Sequence, residues 1–76
     1  MEQELRCIIA RVAETSNQAF SPDADLRDEL DVDSHRAVEL AFEIERRFEV
    51  DIPPDRLVEL RTLRTAMELV RSLTQG

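Results

Sequence analysis

The sequence predicts an all-α fold, a small up-down bundle of three main helices plus one short helix. Three observations carry that expectation. Apolar residues recur at spacings of three and four in three separate stretches, the period of one helical face. The apolar fraction is 42%, yet it contains only three Phe and no Trp or Tyr, which suits an aliphatic helical core better than a small β-barrel. The chain has 76 residues, enough for one domain (residues 1–76) and too few for a second core.

The first helix is expected from about Glu2 to Thr15, with Leu5, Ile8, Ile9, Val12 and Ala13 on one face. Glu2 and Glu4 fall in its first turn, where acidic side chains complement the helix dipole. Cys7 sits beside the apolar stripe and is expected as a small, partly buried hydrophobe. From Ser16 to Asp33 the periodicity breaks. Ser16-Asn17-Gln18 and Ser21-Pro22-Asp23 are turn chemistry, and the stretch reads as a long acidic loop pinned by Phe20, Leu26 and Leu30.

The second main helix, Ser34 to Phe48, shows a wide apolar arc of Ala37, Val38, Leu40, Ala41, Phe42, Ile44 and Phe48. With Val38 placed inward, Val38→Asp would bury an unpaired carboxylate at a cost of several kcal/mol. Ile52-Pro53-Pro54 ends that helix, because a residue before proline disfavours the helical region. A short helix follows at Asp55 to Leu60, with Leu57 and Leu60 inward. Thr62 is the expected N-cap of a last helix, Leu63 to Leu73, with Leu63, Ala66, Met67, Val70 and Leu73 inward.

Charge and composition then exclude several functions. The net charge is −7, with 17 acidic residues against ten basic ones, and every basic residue is Arg. A compact anion repels phosphate backbones, so nucleic acid is not an expected ligand and basic protein surfaces are. No apolar run approaches the length of a membrane span, and the acidic Met1–Glu4 start does not resemble a basic leader. A cytoplasmic monomer is expected. The single Cys and single His (His35) cannot build the usual zinc site, and an Asp-rich loop without Gly does not make a calcium loop. No internal Gly exists to cradle a phosphate, and the neighbours Ser34-His35 point in different directions on a helix. No large cleft is expected in so small a bundle, and the chain is not expected to be an enzyme.

What remains is Asp33-Ser34-His35-Arg36-Ala37-Val38-Glu39-Leu40, a serine opening an amphipathic helix after a long loop. Either Ser34 or Asp33 is the natural N-cap there. A phosphate attached to such a serine would sit near the positive end of the helix dipole.

Asp33-Ser34 with Val38-Glu39-Leu40 downstream resembles the Asp-Ser-Leu and Val-Glu-Leu elements of acyl carrier proteins, in the family of phosphopantetheine-bearing carriers. Asp25-Leu26-Arg27-Asp28-Glu29-Leu30 upstream, and Glu45-Arg46-Arg47-Phe48 and Ile52-Pro53 downstream, extend that similarity over nearly the whole chain. The resemblance implies a carrier, not a catalyst: Ser34 takes a 4′-phosphopantetheine arm from coenzyme A, installed by a phosphopantetheinyl transferase. It also implies acyl- or aminoacyl-loading and processing enzymes as partners, for fatty acid, polyketide or nonribosomal peptide cargo. Asp33, His35, Arg36, Glu39 and Glu43 are the expected partner contacts. Two departures stand out: His35 occupies a position that is usually apolar, and Asp31-Val32 stands where Gly is common. They keep open a second reading, an unmodified carrier-fold interaction module.

Overall fold

The computed structural model describes residues 1–16 and 18–74. Asn17, named above in a turn, lies outside the described residues. The chain forms α1 (Glu2–Ala13), α2 (Leu26–Leu30), α3 (Ser34–Phe48), a 3₁₀ turn (Pro54–Glu59) and α4 (Leu63–Thr74), an all-helical bundle. α1 packs against both α3 and α4, and the 3₁₀ turn closes against α3 and α4.

Each long helix contributes one apolar stripe. Leu5, Ile8 and Ile9 of α1, Leu40, Ala41 and Ile44 of α3, and Leu63, Ala66, Leu69 and Val70 of α4 are all buried. Burying a Leu or Ile side chain contributes about 1.5–3 kcal/mol, and this one aliphatic cluster holds the fold. Leu69 belongs to that core although it is absent from the expected inward set, where Met67 and Leu73 are only half-buried. On α3 the expected arc is too wide: Val38 is 42% and Phe42 60% exposed. Cys7 is exposed rather than partly buried.

The C-terminal ends of α1, α2 and α3 are closed without glycine. Glu14, Asp31 and Glu49 end α1, α2 and α3 at φ 57°, 56° and 55°, in the left-handed region. After α1, the Thr15 and Glu14 N–H groups turn back to the carbonyls of Ala10 and Arg11, the double closure usually built on Gly. Thr62 caps α4 as expected: its Oγ1 accepts the Thr65 N–H at 3.0 Å, while Thr65 Oγ1 accepts the Thr62 N–H at 3.1 Å. This is a capping box with Thr in the place of Glu.

The acidic stretch before α3 is more ordered than a loop. Asp25 Oδ1 accepts the N–H groups of Arg27 and Asp28 at 2.9 and 3.0 Å and so starts α2, a helix the periodicity did not reveal. The Leu26 N–H donates to the Arg61 carbonyl at 2.8 Å, and the Arg64 N–H to the Pro22 carbonyl at 3.0 Å. Arg64 makes a two-pronged pair with Asp23 (2.7 and 3.1 Å), and Arg61 reaches Asp25 at 3.0 Å. Phe20, Ala24 and Leu26 enter the core beneath these contacts.

Candidate functional site

Ser34 is the first residue of α3, and the question at this helix start is which oxygen satisfies the open N–H groups. Asp33 does: its Oδ1 accepts the Arg36 N–H at 2.9 Å, from an extended backbone at φ −77° and ψ −174°. That hydrogen bond, with the nearby Arg36 charge, holds the Asp33 carboxyl below its ordinary value and keeps it ionised. The Ser34 hydroxyl is therefore not consumed by capping. The residue is exposed, and the one contact of Oγ among the described residues is a long 3.5 Å approach from Arg27 Nη2.

The other expected partner contacts divide into two groups. His35 and Glu39 are exposed on α3, one turn apart, with His35 Nε2 3.3 Å from Glu39 Oε1. Arg36 and Glu43 instead hold α3 to α1. Arg36 donates to the Val12 carbonyl at 3.2 Å and to Glu14 at 3.0 Å, and Glu43 accepts from Arg11 at 3.0 Å. Arg47 pairs with Glu4 further along the same seam.

Two clefts open beside α3, more than so small a bundle led one to expect. The first, about 400 Å³, lies between α2, the start of α3 and the 3₁₀ turn. Val32, Ala37, Leu57 and Leu60 line it, with Arg27 and Arg61 among its polar groups. The second, about 520 Å³, runs along α1 and α3 and includes Val12, Arg36, Glu39, Phe42 and Arg46. Phe42 thus lines the second cleft, which also takes in His35 beside Ser34, while Arg27 lines the first. Among the described residues no cluster of three or more His, Cys, Asp or Glu is placed to hold a metal ion. No described helix is long and apolar enough to cross a membrane.

Sequence reasoning missed Arg27, Arg61 and the exposed Val38–Phe42 pair. Arg27 had no signal beyond its place in the upstream segment. The apolar pair was visible as a surplus on α3, an arc wider than one neighbour can cover.

These features define a small all-helical domain with an exposed serine hydroxyl, not used as the helix cap, at the start of α3. Residues 3–70 match the phosphopantetheine attachment site family. The acyl carrier protein of Acidothermus cellulolyticus is 34% identical over 67 residues, covering 88% of this chain and 80% of that one. The acyl carrier protein of Treponema pallidum is 29% identical over 68 residues, covering 90% and 87%. Polyketide-8 synthase acyl carrier protein 2 of Streptomyces avermitilis is 30% identical over 71 residues, covering 93% and 82%. The chain belongs to the acyl carrier protein family, whose prosthetic group is phosphopantetheine.

The residues present fit such a group. An arm needs a hydroxyl that reaches solvent and is not taken up by the helix cap; Ser34 Oγ is exposed, and Asp33 accepts the capping N–H.

Proposed function

We propose that this chain is a single-domain carrier, residues 1–76, that receives 4′-phosphopantetheine on Ser34. In the loading step Ser34 Oγ attacks the pyrophosphate phosphorus of coenzyme A next to pantetheine. The bond to the 3′,5′-ADP leaving group breaks, and the hydroxyl proton passes to a base of the transferase. The bound arm supplies a terminal thiol that carries an acyl or aminoacyl group as a thioester. The chain's own residues do no bond chemistry; they present the arm and the surface around it.

The observation that carries this reading is the division of labour at the start of α3. Asp33 spends its carboxylate on the Arg36 N–H, while Ser34 Oγ stays exposed beside it. A serine acting only as a structural cap would show the opposite arrangement.

The docking surface is the solvent side of α3. Glu39 and His35 stand exposed there, and Val38 and Phe42 add apolar area between charged neighbours. An exposed aromatic ringed by charge is the composition of an interface anchor. The transferase and the loading and processing enzymes would meet this face with basic and apolar groups. Arg36 and Glu43 contribute by fixing how α3 sits on α1, so their effect on partners is indirect. The protein would work as a monomer in the cytoplasm, where the exposed Cys7 thiol stays reduced.

The test is intact-mass spectrometry after incubation with coenzyme A and a broad-specificity phosphopantetheinyl transferase. Wild type should gain the mass of one phosphopantetheinyl group and Ser34→Ala none. A wild type that never gains it would leave the unmodified interaction module as the function.

A further inference from the structure

We infer, on the reading that Ser34 carries the arm, that Arg27 is the phosphate-binding residue of this site and holds the phosphodiester that joins the arm to the protein. Most of the arginines are already occupied. Arg6, Arg11, Arg36, Arg47, Arg56, Arg61 and Arg64 each pair with a carboxylate of the same chain. Arg27, like Arg46 and Arg71, has no carboxylate ion pair among the described residues, but of these three only Arg27 reaches Ser34. Its one contact is with Ser34 Oγ, the atom that would become the phosphate ester oxygen.

Arg27 is also held in place from behind. Asp25 Oδ1 accepts the Arg27 backbone N–H at 2.9 Å, and Arg61 fixes Asp25 Oδ2 at 3.0 Å. The Val32 N–H returns to the Leu26 carbonyl at 2.9 Å, which sets the distance between α2 and the start of α3. The guanidinium is thus presented to Ser34 by an ordered segment, and only its side chain has rotational freedom to lose.

The electrostatics call for such a group. A phosphodiester is anionic at neutral pH, and Ser34 follows Asp28, Asp31 and Asp33 in sequence, with Asp33 held ionised next to it. Charges of one sign within a few ångströms repel even near a solvated surface. A guanidinium offers a fork of N–H donors that matches two phosphate oxygens, which a lysine cannot reproduce. At 3.5 Å from Oγ, Arg27 Nη2 is already within one bond length of hydrogen-bond range of the oxygens a phosphorus there would bear. Fixing the phosphate would also fix the direction in which the arm leaves the protein, toward the cleft that Arg27 helps to line.

The experiment uses full-length wild type, R27K and R27Q, each loaded with coenzyme A and the transferase and checked by intact mass. Phosphorus NMR then follows the arm phosphodiester during a salt titration, with the same phosphodiester on a synthetic peptide of residues 28–36 as the unbound reference. In wild type the resonance should be displaced from the reference and return toward it as salt rises. R27K should keep part of the displacement and R27Q should lose it, and the wild-type Arg27 Nε–H resonance should move on loading. A loaded R27Q with the wild-type resonance, or a wild-type Arg27 unmoved by loading, overturns the inference and leaves the carrier function intact. Failure of wild type to load at all overturns the function, and the inference with it.

Discussion

α3 has two apolar faces with different fates. Leu40, Ala41 and Ile44 are buried against the other helices, while Val38 and Phe42, a short rotation around the same helix, stand at 42% and 60% exposure. Both sets are written in the same alphabet, and periodicity alone assigns them to one arc. The difference lies in how many neighbours are available. α1 and the 3₁₀ turn pack on α3, and that packing leaves Val38 and Phe42 largely exposed. An apolar surplus beyond what the bundle can cover is the sequence feature behind the docking surface proposed on α3.

The buried face should respond first and most. Leu40→Ala removes a fully buried side chain from between the helices and should cost about 2–5 kcal/mol in chemical denaturation, enough to unfold much of a domain this small. A midpoint unchanged from wild type would mean that this face is not the core. Phe42→Ala should leave the melt nearly untouched and weaken binding to a processing enzyme about ten-fold, or ~1.4 kcal/mol, by calorimetry. Equal losses in stability and binding would erase the distinction between the faces.

A smaller effect is expected where the helices end. Glu49 closes α3 at φ 55°, a region that costs a residue with a Cβ roughly 1 kcal/mol. Glu49→Gly should therefore raise the melting temperature by a few degrees, whereas the same change at Glu45, inside the helix, should lower it. The smallest effect belongs to Val38→Asp. Reading Val38 as inward gives a loss of several kcal/mol, but its exposure reduces the expectation to about 0.5 kcal/mol or less in the same melt.

Acid separates the pinned segment from the core in another way. Hydrogen bonds from backbone N–H groups hold Asp25 and Asp33 below the ordinary carboxylate value, and Arg64 does the same for Asp23. A carboxylate lowered in the folded state stabilises it fully above its unfolded pKa, and that contribution is lost as pH falls through the folded value. The melting temperature should thus hold from pH 7 to about pH 5 and fall below pH 4. Asp33→Asn, which can still cap, should show a shallower fall.

Much of this architecture is legible in the residues. The uninterrupted run from Ser34 to Phe48 fixes α3 to its ends, because Asp33 signals the start and the segment before Pro53 the stop. Thr62 announces α4. α2 escapes notice because five residues cannot display a helical period, and its start depends on one Asp25 carboxylate accepting two N–H groups. The clamp of Arg61 and Arg64 on Asp25 and Asp23 spans about forty residues of chain, a pairing that charge counting cannot assign. Ser34 was legible as a candidate site only with Val38-Glu39-Leu40 and Ile52-Pro53 at their distances from it. Its freedom from capping, and the approach of Arg27, emerge only from the three-dimensional arrangement.

The central claim is that one hydroxyl carries the arm, and cleavage at arginine isolates it. Trypsin cutting after Arg27 and Arg36 releases residues 28–36, in which Ser34 is the only hydroxyl-bearing side chain. Tandem mass spectrometry of that peptide from transferase-treated protein should find the phosphopantetheinyl mass on Ser34 and on no other peptide. An arm located elsewhere, or a fully treated sample in which this peptide stays unmodified, would contradict the account.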